Sequence, residues 1–308
     1  MFHYIVRRLL QGLVVIFLVT LATFALMHLA PGSPVDILIG EAEVSQEVID
    51  AITRKWGLDR PWYEQYLVWL GNMLRGDFGQ SMVRTGVPVS QMLLEAAPVT
   101  LKLNLYSFAL ALLVAIPAGV LAAVRRYSLF DYSSMVGATL GVALPNFWVG
   151  LMLIIIFSQK LRWLPSGGSG SWQHYVLPVA VLATEQMAVL ARLTRGATVE
   201  VLHQDFVTTA RAKGLPELTV LFRHVVRNAL LPVITIIGYR LAFILSGTIV
   251  VETVFAWPGV GRLFILSIDR LDYQVVQAIV FLLTVLVVIG NLLTDLVYAY
   301  VDPRIRIQ

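Results

Sequence analysis

The sequence predicts an all-α membrane protein with six transmembrane helices. Of its 308 residues, 58% are hydrophobic and 14% are charged, and the mean hydropathy is +0.78. A soluble domain of this length needs more polar surface to stay dispersed. Six apolar stretches reach about 20 residues, the helical length that crosses ~30 Å of hydrocarbon. These predicted spans are residues 9–30, 101–124, 135–158, 176–193, 229–250 and 278–300.

Charge distribution between the loops predicts the orientation of the chain. With the N-terminus inside, the inner loops hold twelve Lys and Arg against five Asp and Glu, whereas the outer loops hold nine against twelve. Cytoplasmic loops of membrane proteins carry the excess of Lys and Arg. We therefore expect both termini in the cytoplasm.

Composition divides the chain into three predicted parts. Residues 1–30 form an N-terminal segment with the first span. Residues 31–98 are too polar to lie in lipid and predict an extracytoplasmic cap. Residues 99–308 hold the other five spans. The cap either covers the ends of the helices or contacts a delivered substrate or its carrier, and the sequence leaves both roles open.

Several classes of function find no support in the sequence. The chain has no cysteine, so disulfides and thiolate sites are excluded. Patterns for a phosphate-binding loop, a zinc protease or a serine hydrolase are absent, and the five histidines form no ligand pair. No basic stripe with interleaved aromatic residues suggests nucleic acid. We predict a non-catalytic chain without metal or cofactor, on which ATP is not hydrolysed.

A long polar loop separates the fourth and fifth predicted spans. Residues 194–228 are basic and about 35 in number, where a short turn would suffice. A helix from Asp205 is predicted to end at Gly214, and a second helix to begin near Pro216 and cover Glu217–Val226. Glycine relieves the left-handed helix end, and proline is tolerated in a first turn. The second helix is either a docking element for another protein or an amphipathic helix on lipid headgroups.

This loop resembles that of the first permease subunit of dipeptide and oligopeptide ABC importers. The similar stretches are TARAKGL at 209–215 and HVVRNALLPV at 224–233. Other motifs similar to the family follow in its order: APGSPV at 30–35, GDFGQS at 76–81, PNFW at 145–148, FAWPGVGRL at 255–263, NLLTDLVY at 291–298 and DPRIR at 302–306. The resemblance implies the type I permease fold of ABC importers, with an extracytoplasmic cap between spans 1 and 2.

The resemblance also implies function and partners. It implies a multi-pass subunit of the bacterial inner membrane that forms half of a pathway for di- and oligopeptides. Its implied partners are a homologous second permease subunit, two cytoplasmic ATP-binding subunits, an extracytoplasmic substrate-binding protein and membrane lipid, with no nucleic acid. Alternative substrates in the family are glutathione, nickel chelates, haem and opines. An intramembrane enzyme or a receptor is the alternative from a different class.

Site residues are carried over from the family's loop. Ala210 and Gly214 match its alanine and glycine, and residues 215–222 match its docking helix. The resemblance therefore implies ATPase docking by Ala210, Gly214, Leu215, Glu217, Leu218, Leu221 and Phe222.

Two charged residues lie near the middle of predicted spans. Glu185 lies in the fourth span and Arg240 in the fifth. A charge at this depth costs about 2.5–3.5 kcal/mol on insertion scales, so it usually has a role. We predict that the two face the translocation pathway. They either pair with each other or act on the charged ends of a substrate.

Interruptions are predicted at prolines and at one aromatic segment. Prolines within spans remove backbone hydrogen bonds and mark kinks or helix ends. They are Pro117, Pro145, Pro178 and Pro232. Residues 252–272, which include Trp257, predict a re-entrant or interfacial turn that either helps to close the pathway or anchors the chain at the membrane surface.

Overall fold

The computed structural model describes residues 2–29, 35, 39, 45–242 and 248–301, without the side chains of 2–5, 242 and 295–301. The motif at 302–306 lies outside these residues, as does that at 30–35 except for Val35. In the described part the regular structure is helical, with one isolated bridge between Gln80 and Pro88. The all-α prediction is therefore confirmed.

The helices are α1 (Phe2–Leu29), α2 (Gln46–Lys55), α3 (Trp62–Leu74), α4 (Val89–Val124), α5 (Leu129–Ala143), α6 (Asn146–Leu153), α7 (Gln173–Leu202), α8 (Asp205–Ala212), α9 (Glu217–Thr219), α10 (Arg227–Ala242), α11 (Ile249–Val254), α12 (Val260–Asp269) and α13 (Tyr273–Val301). Two π-helical segments, Ile154–Lys160 and Val220–Val226, follow α6 and α9 without a break.

Membrane-length helices account for most of the predicted spans. Among the described residues, five helices are long and apolar enough to cross a membrane: Val6–Leu29, Val89–Val124, Gln173–Leu202, Glu217–Leu241 and Tyr273–Thr294. A bent pair, Leu129–Ala143 with Asn146–Lys160, adds a sixth if it counts as one span. The predicted number of six holds in that sense.

The third span is not the single helix predicted over 135–158. Its two halves meet at an angle of 106°. Leu144 is extended, with ψ 127°, and Pro145 follows it as the residue that precedes α6. A residue before proline is driven out of the helical region, because the proline ring clashes with its backbone. Pro145 is thus confirmed as a helix end.

Three other spans have different limits from those predicted. The second begins at Val89, and the start of α4 packs in a buried cluster with Phe24, Trp69 and Ile279. The fourth continues to Leu202, so residues 194–202 belong to α7 and not to the loop. The fifth begins at Glu217, and non-helical Thr248 precedes α11. The single helix predicted over 229–250 is therefore wrong at its end.

The chain folds as two compact units. The first contains residues 1–99 and 259–308, and the second contains residues 100–258. The predicted three-part division along the chain remains a prediction.

The first unit has an aromatic and aliphatic core. Phe24, Tyr66, Trp69 and Ile279 are buried together there. Asp272, at the start of α13, accepts hydrogen bonds from the Ser81 hydroxyl and from the Met82 amide. Asp272 thereby attaches the GDFGQS motif, which turns at Gly79 with φ +69°, to α13.

The second unit is packed through small residues. Ala111, Ala183 and Val233 are fully buried in its core. A Cβ on Gly119 would lie 2.7 Å from the Ala191 carbonyl oxygen, so only glycine permits this approach of α4 to α7. Small residues allow such close contacts between membrane helices.

The aromatic residues Phe255 and Trp257 of the FAWPGVGRL motif are buried. Trp257 is 0% exposed, and its ring lies edge-on to that of Tyr175 at 4.6 Å. The Phe255 carbonyl accepts a hydrogen bond from Gly168 at 2.8 Å. Trp257 therefore cannot serve as an aromatic anchor at the membrane surface. That alternative was wrong because the motif's aromatic side chains pack inward.

Candidate functional site

Helix α8 ends in a glycine cap. Gly214 has φ +75°. Its amide donates to the Arg211 carbonyl at 2.9 Å, and the Leu215 amide donates to the Ala210 carbonyl at 3.4 Å. This pair of bonds is the Schellman motif, in which a left-handed glycine lets the last carbonyls of a helix find partners. The helix end predicted at Gly214 is confirmed.

The helix after the cap is continuous with the fifth span. Pro216, with φ −55° and ψ 141°, precedes the first helical residue, Glu217. From there α9, the π-helical segment and α10 run to Leu241 as one membrane-length helix. The second helix is thus the beginning of a span and not a separate element. The sequence suggested a separation because charged residues, Arg223 and Arg227 among them, interrupt the apolar residues of 217–228.

An ion pair closes the turn between the two helices. Arg211 donates to both carboxylate oxygens of Glu217, at 2.6 and 3.1 Å. The hydrogen bond raises the pKa of the Arg211 guanidinium above its usual value. Both side chains are largely exposed, and exposed pairs contribute at most about 1 kcal/mol. The pair therefore matters more for the shape of the turn than for stability.

The inner face of the loop is a small apolar cluster. Val207 and Ala210 of α8 are buried against Val220 and Val225 of the π-helical segment, and Leu221 is partly buried beside them. Ala210 is only 6% exposed. Ala210 and Leu221, both predicted docking residues, thus hold the two helices together. Their direct contact with a partner remains a prediction.

The outer face of the loop is apolar and exposed. Leu218 is 70% exposed and Phe222 65%, four residues apart on the continuous helix. Leu215 and Phe206 add smaller exposed areas. Exposed apolar side chains of a membrane protein face either a partner protein or lipid. We call Phe206, Leu215, Leu218 and Phe222 the apolar face; sequence reasoning did not name Phe206 as part of it.

A groove of about 620 Å³ adjoins this face. The ends of α4 and α7 line it together with α8 and α9. Arg126, His203 and Arg211 contribute basic groups, and Leu218 and Leu221 contribute apolar ones. The sequence counted Arg126 only as an inner-loop charge, because nothing local shows that α4 ends beside the loop.

A partly buried ion pair joins α5 to α7. Arg195 donates to both carboxylate oxygens of Asp131, with Nη2 2.7 Å from Oδ2. Asp131 is 2% exposed and also accepts from the Tyr127 amide at 3.0 Å, while Ser128 caps the start of α5 by accepting from the Asp131 amide. Sequence reasoning missed this pair, since the two residues are 64 positions apart in the sequence.

The two mid-span charges lie in different surroundings. Asn146 donates to the Glu185 carboxylate at 3.4 Å, so Glu185 lies beside the break in the third span. Both Glu185 and Arg240 are partly buried. Among the ion pairs of the described residues, none joins the two. Their role in a pathway remains a prediction.

We expect Gly214→Ala to weaken the cap of α8. A residue with a Cβ in the left-handed region costs about 1–2 kcal/mol. No heavy atom of the described residues lies within 4 Å of the added Cβ, so the effect comes from the backbone alone. Hydrogen exchange at residues 213–215 should become faster. The matched control, Gly196→Ala within α7, meets no neighbour either and should strengthen its helix by about 1 kcal/mol; unchanged exchange in Gly214→Ala contradicts the strained cap.

The fold defines a helical membrane protein with several membrane-length helices. Residues 115–307 match the model of the "binding-protein-dependent transport system inner membrane component" family, and residues 1–104 match that of its N-terminal part. The chain belongs to this family of transport permeases. It is thus a multi-pass inner-membrane subunit of an ABC importer.

Individual relatives match along the whole chain. The oligopeptide transport system permease protein AppB of Bacillus subtilis (strain 168) is 46% identical, over 98% of this chain and 99% of its own length. The glutathione transport system permease protein GsiC of Escherichia coli (strain K12) is 40% identical, over 99% of both. The same permease in Shigella dysenteriae serotype 1 (strain Sd197) is equally similar.

Proposed function

We propose that this chain forms half of a translocation pathway for di- and oligopeptides. Its partners are a homologous second permease subunit, two cytoplasmic ATP-binding subunits that hydrolyse ATP, and an extracytoplasmic substrate-binding protein. The higher identity to the oligopeptide permease, 46% against 40% for the glutathione permease, supports peptides as substrates. Both termini are cytoplasmic, and residues 31–98 form the extracytoplasmic cap.

One observation carries the coupling mechanism. The apolar face lies at the start of the helix that continues as the fifth span. A partner that holds Leu218 and Phe222 therefore holds the span itself. Burial of two such side chains at an interface contributes roughly 1.5–3 kcal/mol each. The cap at Gly214 and the apolar cluster fix α8 to the helix that begins at Glu217. The loop therefore moves as one body.

The proposed cycle follows from this connection. ATP binding closes the partner ATPases and displaces the loop. The fifth span moves with it, and α7 follows, because Val233 of α10 is buried against Ala183 and Leu190 of α7. The Asp131–Arg195 pair transmits the displacement from α7 to α5. The pathway then opens outward to receive the peptide from the binding protein.

Reconstitution tests the proposed function. The four kinds of subunit, in proteoliposomes, should take up a labelled dipeptide with ATP inside and the binding protein outside. Uptake should require all four. Glutathione in the same assay separates the two substrate classes named by the relatives. ATP-dependent uptake of glutathione without uptake of any dipeptide or oligopeptide contradicts the proposal.

Glu185 and Arg240 are proposed to line the pathway and act on peptide termini. We expect Glu185→Gln to lower uptake of a free dipeptide at least about ten-fold, because a charge-assisted contact to the amino terminus is lost, at roughly 1.5–3 kcal/mol. Glutamine keeps an acceptor for Asn146, so protein levels should not change. Arg240→Gln should also lower uptake, because the contact of Arg240 with the C-terminal carboxylate of the peptide is lost. As a control, uptake of an N-acetylated dipeptide should not respond to Glu185→Gln; equal losses for both peptides contradict contact with the amino group.

A further inference from the structure

A cavity in the first unit has no part in the proposed mechanism. Its volume is about 220 Å³, and it lies among the end of α1, the turn before α3, α3 itself, the GDFGQS loop and the start of α13. Typical small-molecule pockets hold about 300–1,000 Å³. The cavity therefore suits a solute of a few residues at most, or one end of a longer one.

Part of its wall is buried and polar. Tyr273 is 6% exposed and Gln277 3%, and both line the cavity one helical turn apart on α13. Trp69, another lining residue, has a buried indole N–H without a hydrogen-bond partner among the described residues. Buried polar groups in native proteins are nearly always hydrogen-bonded. This unpaired donor, on the same wall as a hydroxyl and an amide, indicates that a hydrogen-bond acceptor belongs in the cavity.

The charged groups around the cavity favour an anion. Lys55 and Arg60 line it, and Asp77 is the acidic residue among its lining. One carboxylate oxygen of Asp77 already accepts from the Gly79 amide at 3.0 Å. The remaining positive charge attracts a negative group.

The hydrogen bonds of His28 hold part of the cavity wall in place. Its Nδ1 is 2.9 Å from the Phe24 carbonyl oxygen, and its Nε2 is 3.1 Å from Oε1 of Gln65. The amide nitrogen of Gln65 in turn donates to the carbonyls of Arg60 and Leu58. These bonds tie α1 and α3 to the turn that carries Arg60.

We propose that this cavity binds the carboxylate of a small solute. A carboxylate only accepts hydrogen bonds, and the cavity offers a hydroxyl, an amide and two cationic side chains as donors. Phe24 and Trp56 supply apolar wall for the neighbouring atoms. That the carboxylate is the C-terminus of a short peptide rests on the proposed function; the preference for a carboxylate does not.

Binding to the full chain, co-purified with its membrane and ATPase partners in nanodiscs without binding protein, tests the proposal. The probes are L-alanyl-L-alanine and its C-terminal amide, measured by saturation-transfer NMR titration. We expect the free acid to bind saturably and the amide at least ten-fold more weakly. Tyr273→Phe and Gln277→Leu should each weaken the free acid about ten-fold or more, as expected when a charged acceptor loses a donor. Tyr63→Phe, which removes an exposed hydroxyl from α3, should change nothing.

Three results overturn the proposal: no saturable binding of the free acid, equal binding of the amide, or normal binding by Tyr273→Phe. Tyr273→Phe removes the hydroxyl and keeps the packing of the ring. This variant therefore tests the cavity site even if Gln277→Leu fails to fold. Uptake by the complete transporter is scored separately. Dipeptide uptake without binding in nanodiscs removes the cavity site and leaves the proposed function intact. Saturable binding without uptake contradicts the proposed function and leaves the cavity site intact.

Discussion

Replacing Leu218 and Phe222 together by aspartate is expected to abolish substrate-stimulated ATP hydrolysis while the subunit still inserts. Both side chains are about two-thirds exposed, so the change removes little from the core of the protein. Loss of two buried apolar contacts, with two charges introduced, should weaken ATPase docking by at least about 3 kcal/mol, or more than a hundred-fold in Kd. The measurement is co-purification of the ATPase together with ATP hydrolysis in proteoliposomes.

Leu74→Asp is the matched control for this variant. Leu74, on α3, is 69% exposed, as Leu218 is 70%, but it lies in the predicted extracytoplasmic cap. Its replacement should leave docking and ATP hydrolysis unchanged. Normal stimulated hydrolysis in the double variant would falsify the proposal that the apolar face is the docking surface.

The second large effect is expected at the buried ion pair. Asp131→Ala leaves the Arg195 guanidinium without its carboxylate, and Asp131 is 2% exposed. Removing one partner of a fully buried pair costs about 3–5 kcal/mol, and the 25% exposure of the Arg195 side chain reduces this cost. We expect a much lower yield of monodisperse protein and a clear fall of Tm in detergent, because the turn after α4 loses its attachment to α7.

A double replacement separates charge from packing at this site. Asp131→Leu with Arg195→Met removes both charges and keeps apolar volume, a change that is often neutral or stabilising for buried pairs. Yield and Tm should therefore recover relative to Asp131→Ala. If coupling also needs the rigid link, stimulated ATP hydrolysis should stay low in the recovered protein. A double variant as unstable as Asp131→Ala contradicts the account of an unpaired buried charge.

The fold was predictable wherever one local property decides the outcome. The lengths of the apolar stretches predict five membrane-length helices and the bent pair. Pro145 predicts the break in the third span. The angle of 106° was not predictable, since it depends on what both halves contact. The start of α4 at Val89 and the end of α7 at Leu202 were missed for a related reason. Those turns are stabilised by packing against distant residues.

The candidate site also combines features that local chemistry decides with features that depend on distant contacts. The cap at Gly214 follows from the chemistry of glycine and could be predicted residue by residue. The burial of Ala210 could not, because it requires the π-helical segment to fold back on α8. The link of Asp131 to Arg195 and the place of Arg126 in the groove both depend on contacts between helices. Each appears in the sequence only as an ordinary loop charge.

The break at Pro145 also limits where the protein can be closed to leakage. Each half of the bent span has 15 residues and extends about 22 Å, short of the ~30 Å of hydrocarbon. Amides in the first turn of α6 have no partner within their helix, and lipid cannot hydrogen-bond to them. Water or polar side chains, such as the neighbouring Glu185, must satisfy them. We therefore expect the seal against ions and protons to be formed by another layer of side chains, above or below this polar point.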